Sequence, residues 1–303
     1  MLGMTTGDGD AGGRLFPEGL DGVDPVAAVV LADAVRSIAA HPDLVAVGTL
    51  FTAAERVGDG WQVRCGADPI PQGARELLAD LLAERAAAAG PLAARGLRAA
   101  AHAVVDGGLD EVRAAGGVFR IVRVEQLIRS GPGGPEAPRP TDPDVRPRPD
   151  RPAPPRPYDL IRPVPDAPDG TTSELLCQLL DAAARAGSEA SERFLTPVPL
   201  TPAFTIAERQ AGRWRPAGRL HDTPAQARAA LASYLRTVVP AVERPGPAEL
   251  PAYRRAAARM ADGTRRAGVE VAGRRFRIVR IERITLLGPD GPEPPRPGDF
   301  DAR

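Results

Sequence analysis

The sequence predicts an α+β protein formed by tandem duplication, each copy a small antiparallel three-stranded sheet packed with several helices. Three observations predict it. Two long collinear self-matches run through the chain. Strand-period and helix-period apolar patterns follow one another in the same order in each half. A proline-rich stretch separates the halves.

The first match pairs FRIVRVEQLIRSGPGGPEAPRPTDPD (Phe119–Asp144) with FRIVRIERITLLGPDGPEPPRPGDFD (Phe276–Asp301). Sixteen of the 26 positions are identical without a gap, at an offset of 157. The second pairs FTAAERVGDGW (Phe51–Trp61) with FTIAERQAGRW (Phe204–Trp214) at an offset of 153, which also relates Pro71, Ala74 and Arg75 to Pro224, Ala227 and Arg228. The matches divide the chain into a first repeat at 24–131, a proline-rich linker at 132–170, a second repeat at 171–288 and a proline-rich C-terminal tail at 289–303.

Each element has a local cause. Asp24 can cap an opening helix whose first position suits Pro25, with Val26, Val29, Val30 and Ile38 spaced to face a core. Strands near 47–56 and 61–65 flank a Gly58-Asp59-Gly60 turn. A helix follows, opened in the second copy by Thr223-Pro224, with Leu231, Leu235 and Val238 on one stripe and Tyr234 beside it. Alanine-rich helices fill the space to about residue 115, and to about 268 in the second copy. A long strand, Val118–Arg129 or Arg275–Leu286, ends each unit, apolar on both faces and so expected to be central. Between the copies, Pro132–Pro157 holds 11 prolines in 26 residues, an extended and semi-rigid composition.

The tails GPGGPEAPRP and GPDGPEPPRP, following FRIVRVE and FRIVRIE, resemble those of an uncharacterised actinobacterial family classed as a domain of unknown function. The AERQAGRW hairpin and TPAQARAAL helix start resemble the same family. The resemblance implies a bacterial origin and supplies no catalytic residues. The first copy departs from it at IPQGARELL, which lacks the capping threonine.

Composition bounds the function. All 39 basic residues are arginine, with no lysine and no asparagine, a pattern that points first to a GC-rich genome. The formal charge is zero, but residues 1–150 carry 15 arginines against 21 acids, and residues 151–303 carry 24 against 18. Opposite charges favour docking of the halves or head-to-tail self-association. Cys65 and Cys177 form no C-x-x-C pattern, and with no leader segment they are expected to be reduced thiols in a cytoplasm. No apolar run reaches membrane-span length.

No catalytic, metal or cofactor motif is present. His41, His102 and His221 have no counterpart in the other copy and no partner at ligand spacing. The prolines in GPGGPE remove the donors that a phosphate cradle needs. What both copies share is a set of charged and aromatic residues. Glu55, Arg56, Trp61 and Arg75 match Glu208, Arg209, Trp214 and Arg228, and Arg123 and Glu125 match Arg280 and Glu282. These are open to two readings, an ion-pair network within the sheet or a pair of recognition surfaces. A basic stretch, Arg254–Arg283, holds ten arginines against three acids. Its Arg254, Arg255, Arg259, Arg275 and Arg277 either dock on the acidic first half, lie solvated, or meet an anionic partner such as nucleic acid. The leading expectation is a non-enzymatic interaction or adaptor protein, an internal pseudo-dimer without cofactor, that binds a protein partner or itself. The alternative is a nucleic-acid-associated protein that uses the second repeat's arginine-rich face.

Overall fold

In the computed structural model, which describes residues 25–145, 160–162 and 193–301, the first half opens with α1 (Pro25–Ala40), β1 (Asp43–Val57) and β2 (Gly60–Val63). It continues through α2 (Pro71–Ala88), α3 (Pro91–Val105), β3 (Glu111–Ala114), β4 (Gly117–Gly131) and β5 (Gly134–Pro135). The short β6 (Leu160–Ile161) follows. The second half runs β7 (Thr196–Gln210), β8 (Arg213–Pro216), α4 (Pro224–Ser233), a π-helical segment (Tyr234–Glu243) and α5 (Leu250–Ala261). It ends with β9 (Gly268–Val271), β10 (Arg274–Gly288) and β11 (Gly291–Pro292). Asp24, Cys177 and most of the expected linker lie outside the described residues.

All these strands join one antiparallel sheet along the path β6-β2-β1-β4-β10-β7-β8, with β3 and β5 on β4, and β9 and β11 on β10. A three-stranded sheet in each copy was the expectation; the structure instead joins the strands of both halves in one larger sheet. β4 and β10 pair at Leu127–Glu282, Gln126–Arg283 and Glu125–Ile284. The physical reason lies in the strands themselves. Both faces of β4 are apolar and β1 takes only one of its edges, so leaving the other edge bare would strand main-chain donors and acceptors.

Helices α2 to α5 cover one face of this sheet. Leu78, Leu82, Leu97 and Val104 of α2 and α3 pack on Phe51, Phe119 and Ile121. Leu231, Leu235, Val239, Tyr253 and Met260 pack on Phe204, Phe276 and Ile278. On the opposite face, Val122 and Val124 meet Trp61, Ile161, Val198, Leu200 and Leu287, because the sheet curls and brings the start of β7 beneath the first half.

Three local expectations are revised. α1 buries Ala32 and Asp33, whereas Val29 and Val30 are 46% and 45% exposed. α4 has the capping box of Thr223 and Gln226, but it passes into a π-helical segment at Tyr234, where the Pro240 ring would clash with the Arg236 carbonyl of a continued α-helix, and Val238 is left exposed. Residues 132–145, expected as the start of a spacer, pack on the protein and bury Glu136 and Asp142. Among the described residues, no helix is long and apolar enough to cross a membrane.

Because the β4–β10 contact joins the halves, urea unfolding is expected in one transition, superimposable by far-UV circular dichroism and tryptophan fluorescence. Phe119→Ala and Phe276→Ala should each lower stability by about 3–5 kcal/mol and shift that single transition. A variant that unfolds only its own half would contradict the shared sheet.

Candidate functional site

β4 and β10 share three register pairs and then diverge, and the segments after each strand fill the gap. The Glu136 N–H donates to the Arg129 carbonyl of β4 (2.8 Å), and its carbonyl accepts from the Arg280 N–H of β10 (2.9 Å). Glu293 does the reverse, donating to the Leu286 carbonyl and accepting from the Arg123 N–H, both at 2.8 Å. Each tail therefore leaves its own half and crosses onto the other.

The crossing determines where the repeat-shared charges go. Arg75 of α2 donates to Asp110 (2.7 Å) and to Asp301 of the far tail (2.6 Å), while Arg228 of α4 donates to Asp144 of the first tail (2.6 Å). Arg123 pairs with Glu125 and with Asp299 (3.1 Å), and Arg280 pairs with Glu282 and with Asp142 (3.0 Å). Arg139 joins Glu136 (2.5 Å) to Glu282 (2.9 Å); Arg296 joins Glu293 (2.7 Å) to Glu125 (3.8 Å). The aspartates also fold the tails, for Asp142 accepts from the Arg139 N–H and Asp299 from the Arg296 N–H, both at 2.7 Å. Glu136, Arg139, Asp142, Asp144 and their counterparts Glu293, Arg296, Asp299 and Asp301 were not among the expected site residues. The signal for them was present, since all eight stand at identical positions of the longer match.

Both tryptophans face the crossing tails. A Cβ on Gly291 would stand 2.6 Å from Trp61 Nε1, and one on Gly134 would stand 2.4 Å from Trp214 Nε1. Both glycines have positive φ, 119° and 102°, so their missing side chain serves the turn and the ring contact together. Arg120 lies over Trp61, and Arg275 and Arg277 over Trp214. Glu55 is held by Arg85 and Arg64, and Glu208 by Arg274. Arg56 and Arg209 are exposed near the hairpin tips.

The five arginines expected as one anion-binding surface do not come together. Arg254, Arg255 and Arg259 are exposed on α5, which covers the Phe276 face, while Arg275 and Arg277 lie with Trp214 on the other face. Among the described residues, no group of three or more His, Cys, Asp or Glu is placed to hold a metal ion. Burial pushes the Cys65 thiol up to about 11, which keeps it protonated and unreactive at neutral pH.

The carboxylates report the strength of the network. The Arg85 guanidinium holds the Glu55 carboxyl below its ordinary value, and Arg274 does the same for Glu208. Burial alone would raise Glu282, but Arg280 and Arg139 outweigh it and bring the carboxyl below its ordinary 4.5. A carboxyl with a depressed folded value stabilises the protein above its unfolded value, and that contribution is lost as pH falls through the folded one.

A family model whose description reads "Family of unknown function (DUF5954)" matches residues 24–302. No curated protein and no solved structure matches the chain.

The melting temperature is expected to stay level from pH 8 to about 5 and to fall below the ordinary carboxylate range. Glu282→Gln should melt lower at pH 7 and fall less steeply in acid, as followed by thermal circular dichroism. Gly134→Val and Gly291→Val should each destabilise by about 1–3 kcal/mol, through overpacking against the opposite tryptophan and strain at positive φ.

Proposed function

The chain belongs to the DUF5954 family of unknown function, and we propose that it is a non-enzymatic interaction protein, an internal pseudo-dimer produced by gene duplication. The observation that carries this reading is the fate of the shared charged residues. Ten of the twelve repeat-shared residues contact other parts of the chain as ion pairs or as packed tryptophans, and only Arg56 and Arg209 are solvated at the hairpin tips. Charges spent in this way hold a scaffold and are not free to act on a substrate.

The duplication is supported by contacts that repeat at the sequence offsets. Arg75–Asp301 answers Arg228–Asp144, and Arg123–Asp299 answers Arg280–Asp142. Crossed tails fix two modules in one relative orientation, which a binding platform requires and a flexible tether does not provide. The lysine-free, arginine-rich composition supports a GC-rich, actinobacterial origin, and a half-buried Cys65 free of any disulfide fits a cytoplasmic setting. The nucleic-acid reading has less support, because its five arginines are divided between two faces.

Immobilised full-length protein is expected to retain a discrete protein partner from its native lysate, in amounts that withstand nuclease treatment. A chain that retains nothing and sediments as a monomer overturns the reading. Retention that disappears with nuclease moves the assignment to nucleic acid.

A further inference from the structure

The two ends of the sheet are finished differently. At the first end, β6 lies antiparallel on β2, with Ile161 opposite Trp61 and Leu160 opposite Gln62. Ile161 is fully buried there among Trp61, Val198 and Leu200. At the second end, β8 is the last strand of the sheet among the described residues. In a two-residue hairpin the closing pair is hydrogen-bonded and the next pair is not, so the Trp214 N–H and C=O point away from β7 toward this open side.

The side chains repeat the same asymmetry. Val198 faces Thr285 in the ladder as Val45 faces Ile128, and Val47 precedes Leu200 by the same offset. Val198 and Leu200 are 4% and 7% exposed, whereas Val45 and Val47 are 51% and 49% exposed. The apolar surface that Ile161 and its surroundings close on one side thus has a counterpart at Val45 and Val47 that is uncovered among the described residues, on the same face of the sheet as the half-buried Trp214.

Charge distinguishes the open end from the filled one. Arg213, Arg215, Arg219 and Arg275 are exposed and make no ion pair among the described residues. Their counterparts at the filled end are Gly60, Gln62, Gly66 and Val118. Arg277 feels the crowding, for burial and the neighbouring Arg275 both lower its proton affinity. Basic residues on an edge strand discourage pairing with another basic edge, so a second copy joined β8 to β8 would set these arginines against each other. An acidic strand meets no such repulsion.

We propose that this edge binds an extended acidic segment of a partner protein, added antiparallel to β8, with an aliphatic residue opposite Trp214 and carboxylates opposite Arg213 and Arg215. The alternation follows from the strand period of two: Trp214 points to the Val45 face and the two arginines to the other. The proposal rests on the interaction reading above and specifies its site. It differs from an electrostatic patch because it requires main-chain hydrogen bonds as well as charge.

The test uses the full chain and a fluorescein-labelled peptide Gly-Glu-Asp-Ile-Glu-Asp-Gly, followed by fluorescence anisotropy. Saturable binding is expected, weakened about tenfold or more by N-methylation of the isoleucine, by its replacement with serine, or by the double variant Arg213→Glu/Arg215→Glu. The variant's circular dichroism and melting temperature should match wild type, since both side chains are exposed. Equal binding of the N-methylated peptide overturns strand addition. Displacement of the peptide by oligothymidylate at lower concentration overturns the protein partner, and a dimer in sedimentation that excludes the peptide assigns the edge to a second copy. If the peptide fails to bind while wild type and the double variant retain the same lysate partner, the site is wrong and the interaction reading stands.

Discussion

Strands β4 and β10 meet over three residue pairs and no more, and the rest of the structure depends on that short contact. Where they part, the N–H groups of Arg123 and Arg280 and the carbonyls of Leu286 and Arg129 would be left without partners inside the protein. Buried main-chain groups in that state cost roughly as much as a lost hydrogen bond. Glu293 and Glu136 each satisfy two of them, and this commits both tails to crossing from one half to the other.

The crossing accounts for the charged residues that the halves share. Replacing a buried ion pair with apolar packing is often neutral, but removing one partner leaves an uncompensated charge and is costly. Here the partners lie on opposite halves, as in Arg123 with Asp299 and Arg280 with Asp142, so neither half keeps its charges satisfied alone. The arrangement ties the two halves together through reciprocal ion pairs. Among the twelve charged and aromatic positions that the halves share, it leaves only Arg56 and Arg209 exposed. At the periphery, one end of the sheet carries the short strand β6, and the other presents exposed arginines and a half-buried Trp214 packed against the first tail.

Much of the fold was legible in the sequence, and for definable reasons. The strand period of two in FRIVRVEQLIR and FRIVRIERITL, the Gly58-Asp59 turn and the Thr223-Pro224 helix start are local signals, and the structure has a strand, a hairpin and a capped helix at those places. The pairing of Arg123 with Glu125 was legible for the same reason, since residues two apart on a strand share a face. The division of the Arg254–Arg283 arginines between two faces was not legible, because a one-dimensional count takes no account of which face each residue occupies.

By itself, the sequence determined the elements, their order and the internal identity of the tails, because these depend on neighbours a few residues apart. Only the tertiary structure decided which half each tail serves. α2 shows the difference most plainly: IPQGARELL has no capping side chain at Ile70, and the Gln72 N–H is instead met by Asp301, 229 residues away, at 3.0 Å. A helix cap is a local requirement, but any carboxylate that the chain can deliver satisfies it, and delivery depends on the path of the whole backbone.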